Sequence, residues 1–165
     1  MSSGERAGKP VLQAVDDGVR SDVRALLDAA LHGALATLDP ETGHPFVSRV
    51  GLATDADGAP LFLASALSEH SRFLEADPRA SLLVGEPGRG DPLAHPRVTL
   101  LGRAERVVGD SARARVRERY LARHPKGKVY VDFPDMSFWR LALERASFNG
   151  GFGRDSRLAR DDLRR

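Results

Sequence analysis

Apolar residues first recur at three- and four-residue intervals in Val19, Val23, Leu26, Leu27, Ala30 and Leu31. That is the stripe of an amphipathic helix. Asp16 or Asp17 can cap its start and Gly33 can end it. The period then shortens. Ala34-Leu35-Ala36-Thr37-Leu38 is an apolar run of strand type, and Asp39-Pro40-Glu41-Thr42-Gly43 is turn chemistry. Residues 45–54 form a second predicted strand, Asp55-Ala56-Asp57-Gly58 a tight turn, and Leu61–Ala64 a third strand. Two strand–turn–strand units in succession predict an antiparallel meander.

Ser68–Asp77 reads as a short helix, with Ser68 at its cap, Phe73 and Leu74 inward, and Asp77-Pro78 as its stop. Ala80–Val84 is a fourth strand. Residues 86–96 carry Gly, Pro and charge and form a loop; Val98–Val108 is a fifth strand with a bend at Gly102. Asp110-Ser111 opens a second long helix, whose apolar side is Val116, Tyr120 and Leu121 and which closes at Pro125. Val129–Phe133 has no definite period, and Ser137–Ser147 is a final long strand. The organisation expected is a flexible arm at 1–16, one domain at 17–153 and a polar, fraying tail at 154–165. A parallel sheet needs crossovers of about a dozen residues, which the early turns do not provide. The expected fold class is therefore mainly β: a small antiparallel β-barrel with α insertions.

Composition narrows the chemistry. The 165 residues suit one domain, and the absence of cysteine excludes disulfides, zinc–thiolate sites and a cysteine nucleophile. No apolar run approaches the ~18 residues of a spanning helix, and the polar N-terminus lacks the apolar stretch of a signal peptide. A cytoplasmic location is expected. Net charge is +2, with a concentration of Arg113, Arg115, Arg117, Arg119 and Arg123 on the second helix. A solvated helix face has the same look, so nucleic acid is not an expected partner.

Candidate ligand positions fall in three groups. Ala64 and Ser65 lead into the turn that holds Ser68, His70, Ser71 and Arg72. A serine-rich turn opening a helix offers free amides and hydroxyls to an anion, and the His and Arg add charge. Ser48, Arg49 and Val50 lie on the second strand, where alternation points Arg49 opposite to its two neighbours. An arginine there can hold a phosphate with its fork of donors. Arg97 and Thr99 share one face of the fifth strand. Each group also admits a structural reading, as a helix cap, a surface arginine or a strand-favouring threonine. His32, His44, His95 and His124 show no zinc-site spacing. No metal site is expected, and the structural reading of these histidines, mostly in turns beside proline, is the stronger one. Gly150-Gly151-Phe152-Gly153 follows a strand and opens no βαβ unit, so it is a turn and not a nucleotide fingerprint. No paired carboxylates suggest general acid–base work; catalytic residues are left unassigned.

The ordered series Ala36-Thr37-Leu38-Asp39, Gly43-His44-Pro45-Phe46-Val47-Ser48, Leu67-Ser68-Glu69-His70-Ser71-Arg72, Ala76-Asp77-Pro78-Arg79-Ala80-Ser81-Leu82-Leu83-Val84, Gly90-Asp91-Pro92-Leu93, Pro96-Arg97-Val98-Thr99-Leu100-Leu101-Gly102, Tyr120-Leu121-Ala122-Arg123-His124-Pro125 and Gly150-Gly151-Phe152-Gly153 resembles the pyridoxamine 5′-phosphate oxidase-related superfamily. Its haem-utilisation (HugZ-like) branch is the nearest. The resemblance implies an FMN-binding split β-barrel that forms a homodimer with FMN at the subunit interface, and an oxidoreductase whose flavin carries the redox chemistry with a small-molecule substrate. It implies that Ser68 and His70 hold the FMN phosphate, with His70 where the oxidases usually have lysine. Ser48, Arg49 and Val50 would line the ring or the phosphate, and Arg97 and Thr99 the ring, often of the partner subunit. The branch implies haem as an alternative ligand, bound or degraded. Its frequent extra C-terminal domain is not expected here, because residues 154–165 are too few for it. A ligand-binding dimer without catalysis is the remaining alternative.

Overall fold

The computed structural model describes residues 12–165, so most of the arm expected at 1–16 lies outside the described residues. Asp16 accepts a 2.8 Å hydrogen bond from the Val19 amide and starts α1 (Asp17–Ala29), as the capping preference dictates. The chain turns extended at Ala30, and β1 (His32–Leu38) begins at once. Gly33 therefore does not end the helix. It lies inside β1 facing the core, where a Cβ would come within 2.9 Å of both the Leu82 Cδ1 and the Leu83 carbonyl. Close packing, not backbone freedom, sets the glycine there.

The meander follows as β2 (Pro45–Thr54) and β3 (Pro60–Ser65), then α2 (Glu69–Ala76), β4 (Arg79–Val84), β5 (Arg97–Arg106), α3 (Asp110–Arg123), β6 (Met136–Asn149) and β7 (Asp155–Ala159). Short 3₁₀ turns cover Pro92–Ala94, Pro125–Val129 and Arg160–Leu163. The strands run in the order β3-β2-β1-β4-β5-β6 and β6 returns to pair with β3, so six antiparallel strands close a barrel. Closure removes the edges that an open sheet would expose. The bend expected at Gly102 is a register shift between Leu101 and Gly102, where a Cβ would meet the Ala142 carbonyl.

Inward positions form one core: Leu35, Phe62, Leu82, Leu100, Leu141 and Phe148, with Phe62 stacked on Trp139 at 6.4 Å between ring centroids. Val19, Val23 and Leu27 of α1 join it. A second cluster sits outside the barrel, where Val116, Tyr120 and Leu121 of α3 cover Leu61, Leu63 and Phe138. Covered on both faces, β3 reads as a continuous apolar run without alternation.

The segment expected to fray does not. β7 pairs with Arg145–Asn149 of β6, Leu158 is fully buried, and Leu163 is 6% exposed. Arg20 of α1 pairs with Asp162 at 2.9 Å. Val129–Phe133 belongs to the 3₁₀ turn and the turn after it.

The α3 arginines are engaged within the fold. Arg113 donates to the Val131 carbonyl, Arg117 pairs with Asp132 at 2.6 Å, and Arg123 donates to the Ala29 carbonyl. Arg115 and Arg119, with Arg140 of β6, surround Asp55, which is only 6% exposed. No helix among the described residues is long and apolar enough to cross a membrane.

Candidate functional site

Strand register assembles a face that no linear stretch displays. Arg49 pairs with Ala34, Ala34 with Leu83, Leu83 with Thr99, and Thr99 with Ser147. Because side chains alternate along each strand, these residues share the outer surface of β2-β1-β4-β5. Val47 and Leu83 remain 62% and 44% exposed on it, so the face is apolar and uncovered. Two shallow depressions of about 340 Å³ each lie along it, one bordered by Ala34, Val47, Arg49 and Leu83, the other by Ala36, Ser81, Leu101 and Arg145. Arg49 has no carboxylate partner among the described residues.

Two residues further along each strand, the outer face ends at His32, Gly85 and Arg97. Gly85 has φ +127° and a Cβ on it would come within 2.6 Å of the Pro96 carbonyl, so only glycine fits. The missing side chain opens a notch. On one side His32 Nε2 lies 3.1 Å from Glu86 Oε1, and on the other Arg97 Nη1 donates to the Leu93 and His95 carbonyls. Arg49, Arg97 and Thr99 thus belong to one surface, as sequence alternation allowed. His32, Gly85 and Glu86 were not found from the sequence. Only the β1–β4 pairing brings Gly85 and Glu86 beside His32.

The other predicted group lies on the opposite side of β2. Ser48 Oγ is 3.0 Å from His70 Nδ1, which links β2 to α2. Phe46 and Phe73 meet edge to face beside this contact, with centroids 5.4 Å apart. The His70 Nε2 atom is buried without a hydrogen-bond partner, and burial pushes the imidazole below its ordinary value of 6.5. It is a neutral ring at pH 7. Ser68 does not cap α2; its hydroxyl donates instead to the Ser65 carbonyl at 2.7 Å, and Ser71 Oγ lies 2.9 Å from it, placed to donate to its lone pair. The first-turn amides of α2 therefore lack a capping side chain, as a helix start open to an anion would. Ser65 is otherwise engaged, donating to Asp135. Arg72 is exposed, with Glu69 at 3.9 Å. Val50 and Ala64 are 4% and 3% exposed inside the barrel, leaving only their backbone for a ligand. The three groups of the sequence thus become two, one on the outer face and one about the α2 turn. No group of three or more His, Asp or Glu side chains converges as a metal site among the described residues.

Both groups suit a ligand with a flat apolar body and an anionic end. The outer face supplies a shelf with arginines at its margins, and the α2 turn supplies amides and a neutral imidazole donor.

The family model described as pyridoxamine 5′-phosphate oxidase matches residues 19–150. The noncanonical heme oxygenase HOZ, a chloroplast protein of Arabidopsis thaliana, is 39% identical over 122 residues, which are 73% of this chain and 36% of that protein. The solved structure of a heme binding protein from Mycobacterium smegmatis is 36% identical with a TM-score of 0.82, over 91% of this chain and 61% of that one. Campylobacter jejuni ChuZ shares the fold, with a TM-score of 0.80 at 16% identity over 91% of this chain and 63% of its own. The chain spans about a third of the length of the Arabidopsis relative and under two thirds of the two solved ones. A closed six-stranded antiparallel barrel, matched by that family model over most of its length, places this chain in the pyridoxamine 5′-phosphate oxidase family.

Proposed function

We propose that this chain binds haem as a homodimer, with the outer face of β2-β1-β4-β5 serving as both self-association surface and ligand seat. The observation that carries the reading is the uncovered row Arg49–Ala34–Leu83–Thr99, with Val47 beside it and Arg97 at its end. A porphyrin has two apolar faces and two carboxylates. Small and aliphatic side chains take the faces, and arginine forks take the carboxylates. An apolar face of this kind on a monomer is a site for another surface. The haem names of the Arabidopsis and Mycobacterium relatives support the choice of ligand. A chain without cysteine needs no oxidising compartment, which supports a cytoplasmic location.

FMN is the second reading, favoured by the uncapped start of α2 and the partnerless His70 Nε2. A phosphate there would receive the first-turn amides of α2 and the imidazole N–H. Bound flavin would supply hydride or electron transfer, and the chain's own residues would hold and orient it, as in an FMN-dependent oxidoreductase.

Titration of the purified protein with ferric haem and, separately, with FMN decides between them. A saturable Soret change at one haem per protomer or per dimer is expected. Arg49→Ala should weaken haem by roughly ten- to a hundredfold, the worth of one charge-assisted hydrogen bond. Saturable flavin binding without haem uptake would favour the second reading, and uptake of neither would overturn both.

A further inference from the structure

We propose that His32 is the residue of this chain that ligates haem iron, through its Nε2 atom. The inference rests on the haem reading above and names its iron ligand. It comes first from elimination. The chain has five histidines and no cysteine. His124 Nε2 is 2.8 Å from the Leu52 carbonyl and its ring stacks against Tyr120 at 4.5 Å. His95 Nε2 is 2.9 Å from the Arg89 carbonyl. His70 is bonded to Ser48, and its ring lies on the opposite side of β2 from the cleft. His44 follows the turn after β1, at the far end of the strand from the notch, and is exposed. His32 alone borders the apolar cleft.

The second argument is the shape of that cleft. His32, Gly85 and Glu86 border both the depression that holds Arg49 and an adjoining groove of about 350 Å³. Leu26, Ala30, Leu31 and Val84 line that groove, and Leu31 is 51% exposed beside it. The two hollows meet at the His32 imidazole. A flat macrocycle laid across the junction would have aliphatic side chains beneath one end and Arg49 near the other, with the imidazole between.

The third argument is the state of the ring. Nε2 faces Glu86 Oε1 at 3.1 Å, and Glu86 is 74% exposed on the loop that follows β4. An exposed carboxylate at such a nitrogen is easily displaced, because a solvent-exposed pair is held weakly. Iron takes the lone pair of a neutral imidazole nitrogen, so Nε2 ligates once the proton facing Glu86 has passed to solvent and Nδ1 carries the remaining N–H. Glu86 is thus the occupant of the ligand position until haem arrives.

Ferric haem titrations of the wild-type chain, His32→Ala and Glu86→Gln, followed by Soret position and electron paramagnetic resonance, test the assignment. Metal-free protoporphyrin is titrated in parallel. His32→Ala should bind ferric haem roughly tenfold more weakly, lose the imidazole-ligated signature, and recover it on addition of imidazole. It should bind metal-free protoporphyrin as the wild type does. Glu86→Gln should bind ferric haem up to about fivefold more tightly. A His32→Ala spectrum equal to wild type would overturn the ligand assignment while haem binding stands. An equal loss of haem and metal-free porphyrin would overturn it too, by showing that the ring only packs. A wild-type chain that takes up no haem would overturn the haem reading itself.

Discussion

His70 shows how one side chain ties the site to the stability of the fold. Its imidazole is half-buried, bonded to Ser48, and held below the ordinary value of 6.5 by desolvation. Below that pH the unfolded chain binds a proton that the folded chain resists. Stability therefore falls as pH drops from 6.5 toward the lower folded value, and levels off beneath it. Chemical denaturation from pH 7.5 to 5 should show this loss, and His70→Gln should flatten the part of the slope that belongs to this ring. An unchanged slope in the variant would mean that other groups carry the titration. Gly33 and Gly85 make a related point. Each stands where a Cβ would collide with backbone, so neither accepts alanine without movement of a neighbouring strand.

Among the elements, β7 departs most from its sequence. Its apolar signal is Leu158 alone, set between Arg157 and Ala159, and an alternation of one residue has no period to detect. The strand exists because β6 is long enough to offer Arg145–Asn149 after its first residues have paired with β3. Deleting residues 155–165 removes the buried Leu158 and Leu163. At 1.5–3 kcal/mol for each fully buried leucine, roughly 3–6 kcal/mol of stability should go with them. A thermal midpoint within a few degrees of wild type would show that the segment adds little. By contrast α1, β1–β5 and α3 were legible, because their stripes or alternations run over several residues and end in turn chemistry. The outer-face residues Arg49, Arg97 and Thr99 were legible for the same reason. His32 and Glu86 were not: a contact made by register between β1 and the loop after β4 leaves no mark in either segment.

The whole molecule leaves the β2-β1-β4-β5 surface open while α3 covers the barrel wall at β3 and β6. If that surface joins two copies, Leu83→Asp places two like charges in the joint with little effect on the barrel interior, since Leu83 points outward. Sedimentation should show the wild type as a dimer and the variant as a folded monomer, and haem affinity should fall together with association. A variant that dimerises as before would move the interface elsewhere.

The double service of β6 bears on how the chain is made. Its first residues close the barrel against β3, yet they lie more than 70 residues beyond it in sequence. During synthesis, strands β1 to β5 must wait as an open ribbon with β3 along one edge, and the cluster that α3 forms over Leu61 and Leu63 still lacks Phe138 of β6. Pairings so distant in sequence form slowly, and an unpaired apolar edge is the part of a nascent chain most apt to join a neighbour. A ribosome-stalled fragment ending before Met136 should therefore bind a holdase chaperone, and release from it should coincide with the emergence of β6.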